Sequence, residues 1–125
     1  MNFFPVAPPV FDEPRLQALL DMAGPEVARE LGRRLLADLA GVARALSAPD
    51  ATGDRRLLRA QSHILIALAG TIGADSLAAD ARGLNSLAHQ GLAADLARQT
   101  ARLCQDLDRL ITRLEPWLRA VLGPP

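Results

Sequence analysis

Residues 59–85 read Arg59-Ala-Gln-Ser-His63-Ile-Leu-Ile-Ala-Leu-Ala-Gly-Thr-Ile-Gly73-Ala-Asp-Ser-Leu77-Ala-Ala-Asp-Ala-Arg-Gly-Leu84-Asn85. The first half of this stretch has apolar residues at helical spacing, and Gly73 ends the run. At about 100° per residue, the side of the helix opposite His63 is apolar and consists of Leu58, Leu65, Leu68 and Ile72. The spacing therefore predicts a helix that buries this side and presents His63 outward.

The residues around His63 on the outward face are mostly small or basic. Those within about 60° of it are Arg56, Arg59, Ala60, Ile66, Ala67 and Gly70. Small residues one turn away leave room for another protein to approach the imidazole. A second helical run follows at once, and Asp75 or Ser76 is placed to accept its first free backbone N–H groups.

Composition favours a small helical protein. The chain has 125 residues, enough for one domain with one core, and is 50% hydrophobic but only 3% aromatic. A core rich in leucine and alanine favours close-packed helices over sheets. The 14 basic residues, all arginine, balance 14 acidic residues, so we expect neither a nucleic-acid nor a membrane-surface partner.

Location is suggested by cysteine usage and by hydropathy. A single cysteine, Cys104, excludes an internal disulfide framework and fits a reducing compartment. No apolar run reaches the roughly 18 residues of a membrane span, and the N-terminus lacks the pattern of a signal peptide. These features predict a cytoplasmic protein.

Turn residues divide the chain into an extended arm and five helices. The arm, residues 1–10, contains Pro5, Pro8 and Pro9; Phe3 and Phe4 either pin it to the domain or belong to a disordered leader. A short helix should begin at Asp12 or Glu13 and end at Gly24, with Leu16, Leu19, Leu20 and Ala23 on one side. The second helix should run from Pro25 to about Ser47 with its inward residues at Val27, Leu31, Leu35, Leu39, Val42 and Leu46.

Three further helices should follow the loop at residues 47–54. We expect them at Asp54–Thr71, at Ser76 to about His89, and from Leu92 onward. The last helix has apolar positions at alternating three- and four-residue spacing: Leu96, Leu103, Leu110 and Trp117 in one series, and Thr100, Leu107, Leu114 and Val121 in the other. Pro116 should kink or restart it.

Four amphipathic helices with short connections predict an all-α fold. Specifically, we expect an antiparallel up-down four-helix bundle, capped at one end by the short N-terminal helix. Residues 11–122 should form this single domain.

The stretch around His63 resembles the signature of the histidine-containing phosphotransfer (HPt) domain. That signature runs Ala-His-x-Leu-Lys-Gly-Ser-Ser, then x-x-x-Gly-Ala-x-x-Leu, and later Leu-Glu. The chain matches it without insertion or deletion at His63, Leu65, Gly73, Ala74, Leu77 and Leu84. It departs at Ser62 for Ala, at Ile66 for Lys, at Ala67 for Gly, at Leu68 and Ala69 for the two serines, and at Asn85 for Glu. The resemblance covers roughly residues 11–122 and implies the same bundle.

The resemblance implies phosphoryl relay between histidine and aspartate, with His63 as the phosphoacceptor. A neutral imidazole is a good nucleophile near pH 7. The implied partners are response-regulator receiver domains, a hybrid sensor histidine kinase, or both. The receiver would bring Mg²⁺ and the acidic pocket, so the chain itself needs no cofactor. We expect a monomeric phosphoryl carrier that turns nothing over alone, since no nucleotide-binding motif is found.

The individual residues keep alternative interpretations. Arg59 could replace the absent lysine in neutralising the phosphoryl group, or it could be an ordinary solvated arginine. Ile66 could belong to an exposed docking patch with Arg56, Ala60, Ala67 and Gly70, or to the flank of the bundle. His89 is expected to end its helix favourably, and Cys104 to be a small buried hydrophobe. With His63 they have no metal-ligand spacing, so we expect no metal site.

Three hypotheses remain open at the level of sequence. The first is an HPt relay protein. The second is a degenerate HPt-like module that binds a receiver or kinase without carrying phosphate, which the isoleucine at Ile66 suggests. The third is an unrelated helical adaptor whose histidine is incidental.

Overall fold

The computed structural model describes residues 10–123. Within this range the chain forms five α-helices and no strand: α1 (Glu13–Ala23), α2 (Pro25–Ser47), α3 (Arg55–Thr71), α4 (Asp75–Gln90) and α5 (Ala93–Leu122). One short 3₁₀ turn, Ala51–Gly53, lies between α2 and α3. The all-α prediction is confirmed. The expected extended arm lies, apart from Val10, outside the described residues.

Short-range chemistry sets the helix starts, as expected. The Asp12 carboxylate accepts a hydrogen bond from the backbone N–H of Arg15 at 3.1 Å and caps α1. The Asp54 carboxylate does the same for Leu57 at 3.0 Å, so α3 begins one residue later than predicted. At α4 the prediction was wrong, because Ala74 occupies the cap position and makes no side-chain bond there. Asp75 instead lies in the first turn, where its negative charge interacts favourably with the positive end of the helix dipole.

Polar contacts show that α3 and α4 run in opposite directions, and this pair packs most extensively. Arg55, at the start of α3, donates to the carbonyl of Gly91, which follows α4, at 2.6 Å. Further along, the Asn85 amide donates to the Ser62 hydroxyl at 3.0 Å. Helix α2 packs on α3 and α5, α4 packs on α5, and α1 packs on α2.

The buried face of α2 differs from the prediction at its N-terminal end. Val27 and Leu31 were expected inward but are 54% and 47% exposed. Ala28 and Gly32 are buried in their place. A Cβ at Gly32 would lie only 2.8 Å from the Leu122 side chain, so the absence of a side chain there lets α2 and α5 approach closely. Further along the helix, Leu39, Val42 and Leu46 are buried as predicted, with Leu35 partly buried.

Helix α5 carries most of the predicted seam. Its fully or nearly fully buried residues are Leu96, Thr100, Leu103, Leu107, Leu110, Leu114 and Leu118. Val121 was expected in this seam but is 37% exposed, since Leu118 turns toward the core instead. The helix continues through Pro116 without a restart. Trp117 is half-buried and packs edge-to-face on Phe11, with 5.4 Å between the ring centroids. This contact connects the segment just before α1 to α5.

Helix α1 also departs from the predicted pattern at one position. Leu16 and Leu20 are buried, whereas Leu19 is 38% exposed. None of the helices within residues 10–123 combines the length and apolar character needed to cross a membrane.

Candidate functional site

His63 lies in the middle of α3 with its side chain exposed to solvent. On the opposite side of the helix, Leu58, Leu65 and Ile72 are fully buried. Leu68 is partly buried against the same core. The rotation of α3 predicted from the apolar spacing is therefore correct.

The other residues predicted on this face differ in exposure. Arg56, Ala60 and Ala67 are exposed, while Gly70 is half-buried. Ile66 was expected either in an exposed docking patch or on the flank of the bundle, and it is half-buried and packs against the core. It lies on the same side of α3 as Arg59 and Ser62, which both form hydrogen bonds with α4. Sequence reasoning missed Ile64, which is 42% exposed but lies about 100° around the helix from His63.

The guanidinium groups of Arg55 and Arg59 bind the C-terminal end of α4. Arg55 donates to the carbonyls of Leu87 at 3.2 Å and Gly91 at 2.6 Å. Arg59 donates to the carbonyl of Ala88 at 3.4 Å. The last carbonyls of a helix carry partial negative charge, so both arginines are well placed there, with the Leu87 carbonyl also accepting from the Gly91 N–H. Arg59 is thus engaged with α4 in a half-buried position.

Two positions at which the chain departs from the HPt signature contact one another. The Asn85 side-chain amide donates to the Ser62 hydroxyl at 3.0 Å and to the carbonyl of Arg59 at 3.2 Å. Ser62 is fully buried, and its hydroxyl donates to the same Arg59 carbonyl at 3.1 Å. This polar contact sets the rotation of α4 against α3 beside His63. Both positions stand out in the sequence as departures from the signature, but only the structure shows that they contact each other.

The glycine of the signature has a structural role in this chain. Gly73 adopts a φ of +70°, which other residues rarely adopt. A Cβ at this position would lie 2.4 Å from the Cβ of Asp12. The backbone N–H of Asp12 donates to the carbonyl of Ile72 at 3.0 Å, so the start of α1 rests on the turn between α3 and α4. The buried Ala74 follows directly.

The remaining chemically versatile side chains lie apart from His63. His89 is exposed in the last turn of α4, as expected for a helix-ending residue. Cys104 is half-buried rather than fully buried, and burial raises the pKa of its thiol. Residues 10–123 contain no group of three or more histidine, cysteine or acidic side chains that could hold a metal ion.

The arrangement suits an imidazole that reacts with a group carried by another molecule. Within the described part of the chain, no side chain forms a hydrogen bond to the His63 ring. The ring therefore projects from α3 while the neighbouring Arg59 and Ser62 side chains form hydrogen bonds elsewhere. It has no orienting carboxylate of the kind found in nucleophile–base–acid triads.

Comparison of the chain with models of known protein families, with curated protein sequences and with solved structures found no significant match in any of the three.

Proposed function

We propose that this protein is a histidine phosphotransfer protein that relays a phosphoryl group between receiver-domain aspartates in a two-component phosphorelay. The observation that supports this most is the exposure of His63 at the middle of α3, directly opposite fully buried Leu58, Leu65 and Ile72. In that position the imidazole can enter the phosphorylated site of a receiver domain while the core stays closed. The small exposed residues Ala60 and Ala67 leave room for the approach.

The reaction requires only a nucleophile from this chain. The lone pair of one His63 ring nitrogen forms a P–N bond as the P–O bond of the aspartyl phosphate breaks. The bonding electrons leave with the aspartate carboxylate, and the other ring nitrogen keeps its proton. Return of the phosphoryl group to a second receiver reverses these bond changes. Such transfers depend mainly on positioning and on stabilising the charge of the phosphoryl oxygens.

The fold and the place of action belong to the same proposal. Contacts of α2 with α3, α3 with α4, α4 with α5 and α5 with α2 support an antiparallel four-helix bundle, and α1 would cap one end of it. A relay between a hybrid sensor kinase and a response regulator would operate in the cytoplasm, as a monomeric carrier.

Transfer from phosphorylated receivers tests the proposal. Receiver domains from the same cell, phosphorylated with acetyl phosphate, would be incubated with the wild-type chain, with His63→Gln and with His89→Gln. We expect acid-labile, base-stable phosphate on the wild type and on His89→Gln, and none on His63→Gln. Because His63 is exposed, His63→Gln should melt within about 2 °C of the wild type. Absence of transfer from every receiver, or transfer to His63→Gln, would overturn the proposal.

A second candidate function is supported by the lack of an available positive charge next to His63 on α3. Ile66 stands where the HPt signature has lysine, and Arg59 already binds the end of α4. A receiver- or kinase-binding module that carries no phosphate would need neither charge. Receiver binding without phosphate transfer to His63 would favour this function over the relay.

A further inference from the structure

The proposed phosphoryl site on α3 has little positive charge of its own. Ile66 is apolar and half-buried, and Arg59 donates to the Ala88 carbonyl. Arg56 is exposed but lies seven residues from His63, about 10 Å along the helix axis. A transferred phosphoryl group carries negative charge on three oxygens, which enzymes commonly meet with arginine or lysine.

Helix α4 places a further arginine beside this site. Asn85 is held against Ser62 by a 3.0 Å hydrogen bond, which sets both the rotation and the register of the two helices. Because the helices are antiparallel, three residues back along α4 correspond to about three residues forward along α3. Arg82 is therefore level with the turn between His63 and Ile66.

The rotation of α4 directs Arg82 to the outer side of the α3–α4 interface. Ala78, Ala81 and Ala88 are buried and mark the inward side of the helix. Asp80 marks the side that faces α5, since its carboxylate lies 3.8 Å from the Nε of Arg102 on that helix. Around the helix axis, Arg82 lies about 100° from Ala81 in the direction opposite to that of Asp80. It therefore faces α3 and solvent.

The guanidinium of Arg82 is free to bind an anion. The side chain is exposed, and among residues 10–123 it forms neither an ion pair nor a side-chain hydrogen bond. A planar guanidinium can donate two parallel hydrogen bonds to phosphoryl oxygens, and its long side chain can reach across neighbouring helices.

We propose that Arg82 of α4 contacts the phosphoryl group on His63 and supplies the positive charge that Ile66 cannot. This inference rests on the proposed phosphoacceptor role of His63. The step itself is unchanged, because Arg82 forms no bond to phosphorus and only donates hydrogen bonds to its oxygens.

The test uses a small phosphodonor, so that the measured phosphorylation rate does not depend on docking of a receiver domain. Phosphoramidate would phosphorylate the wild type, Arg82→Ala, Arg82→Lys and the control Arg44→Ala, which removes an exposed arginine of α2. We expect Arg82→Ala to be phosphorylated at His63 roughly threefold more slowly, a modest factor because solvent screens an exposed charge. Arg82→Lys should keep most of the rate, and Arg44→Ala should match the wild type.

Two further measurements separate a local charge from a general effect. The double variant Ile66→Lys/Arg82→Ala should regain the rate, because it restores a positive charge at the same place. In ¹⁵N spectra of the arginine side chains, the Arg82 Nε–H signal should shift on phosphorylation, and the Arg44 signal should not. Equal rates for Arg82→Ala and Arg44→Ala, an unshifted Arg82 signal, or no phosphorylation of His63 would each overturn the inference.

The outcomes also distinguish this inference from the proposed function. Phosphorylation of His63 by phosphoramidate that depends on Arg82, without transfer from any receiver, would retain the Arg82 contact and remove the relay. Transfer from receivers that is indifferent to Arg82 would retain the relay and remove the contact.

Discussion

Asn85 and Ser62 connect α3 to α4 through a polar side-chain contact, beside the arginine contacts that Arg55 and Arg59 make with the end of α4. The Asn85 amide has two donor hydrogens, and the Ser62 hydroxyl and the Arg59 carbonyl accept from it at 3.0 and 3.2 Å. A buried hydroxyl that loses its hydrogen-bond partner is still removed from water, and the free-energy cost of that desolvation is then not offset. This pair therefore contributes both stability and a defined register beside His63.

At the residue scale, replacing Asn85 should weaken the fold measurably. Asn85→Ala is expected to lower the free energy of unfolding by about 1–2 kcal/mol, because both amide hydrogen bonds are lost. Ser62→Ala should cost less, since Asn85 can still donate to the Arg59 carbonyl. The double variant should cost less than the sum of the two single variants, because they remove a shared contact.

Urea unfolding measures these costs, with Ser86→Ala as the control because Ser86 is the exposed neighbour of Asn85 on α4. Strictly additive costs for Ser62→Ala and Asn85→Ala would show that the hydrogen bond between them contributes nothing.

At the scale of the helix, α3 presents two isoleucines with different roles. Ile64 is 42% exposed, whereas Ile66 is half-buried against the core. A docking partner could therefore bury more of the Ile64 side chain than of the Ile66 side chain. Substitutions at the two positions should therefore separate receiver binding from stability.

Ile64→Asp should weaken receiver binding about tenfold without lowering the melting temperature appreciably. Burying the exposed 42% of Ile64 contributes about 1 kcal/mol, and a carboxylate placed in the interface adds its own desolvation cost, so together they exceed the about 1.4 kcal/mol of a tenfold change. Ile66→Asp should weaken binding and also destabilise the protein, because it places a carboxylate partly in the core. Calorimetric titration with a receiver domain gives the affinity, and Met22→Asp on α1 is a matched exposed control. Unchanged affinity for Ile64→Asp would place docking on another face.

Helix α4 also contacts α5 through an acidic pair. Burial, followed by a hydrogen bond with the Asp106 carboxyl, raises the pKa of Asp80, while the nearby Arg102 opposes the shift. The Nε of Arg102 lies 3.8 Å from the Asp80 carboxylate. The folded protein therefore retains a proton at Asp80 at pH values where the unfolded chain has released it.

This shift predicts that Asp80 makes the fold less stable as the pH rises. At pH values between 3.8, the ordinary pKa of aspartate, and the raised pKa of Asp80, the folded state binds more protons than the unfolded state. The free energy of unfolding should then fall with increasing pH across that window. Asp80→Asn should remove this contribution, whereas Asp108→Asn, at an exposed position of α5, should not. Urea unfolding from about pH 4 to pH 7 provides the measurement. An unchanged slope for Asp80→Asn would contradict the assignment.

At the scale of the whole molecule, Gly73 is where α1, α3 and α4 meet. Its φ of +70° makes the turn between α3 and α4, and its missing side chain admits Asp12 at the start of α1. Phe11 then reaches Trp117 on α5. One glycine thus supports contacts that connect four of the five helices.

Gly73→Ala should be clearly destabilising, for two reasons that add. The left-handed backbone costs a side-chain-bearing residue about 1–2 kcal/mol. In addition, the new Cβ would lie 2.4 Å from the Cβ of Asp12, so the start of α1 must move. Gly70→Ala is the matched control, because a Cβ there meets nothing within 4 Å. That control should be neutral or stabilising by about 0.5–1 kcal/mol, since alanine favours a helix interior. Equal stabilities of the two variants by thermal unfolding would contradict this account.

Local signals predicted the helices and the outward position of His63. Asp12, Asp54 and Gly24 mark the helix ends, and the spacing of Leu58, Leu65 and Ile72 sets the rotation of α3. At the start of α2, where the prediction was wrong, small residues form the buried side. Hydrophobicity favours Val27 and Leu31 over Ala28 and Gly32, yet the small pair is buried, and Gly32 faces the side chains of Leu118 and Leu122 on α5. The phosphoacceptor role of His63 stays a proposal.

The sequence by itself determined the all-α class, most helix bounds and the exposed histidine, because capping groups, glycine, proline and helical periodicity act over a few residues. Only the tertiary structure decided the surroundings of that histidine. It placed Arg59 on the α4 terminus, paired Asn85 with Ser62, half-buried Ile66 and brought Arg82 level with the turn between His63 and Ile66. These contacts depend on the register between helices whose contacting residues are 20 or more positions apart along the chain, and no local pattern records that register.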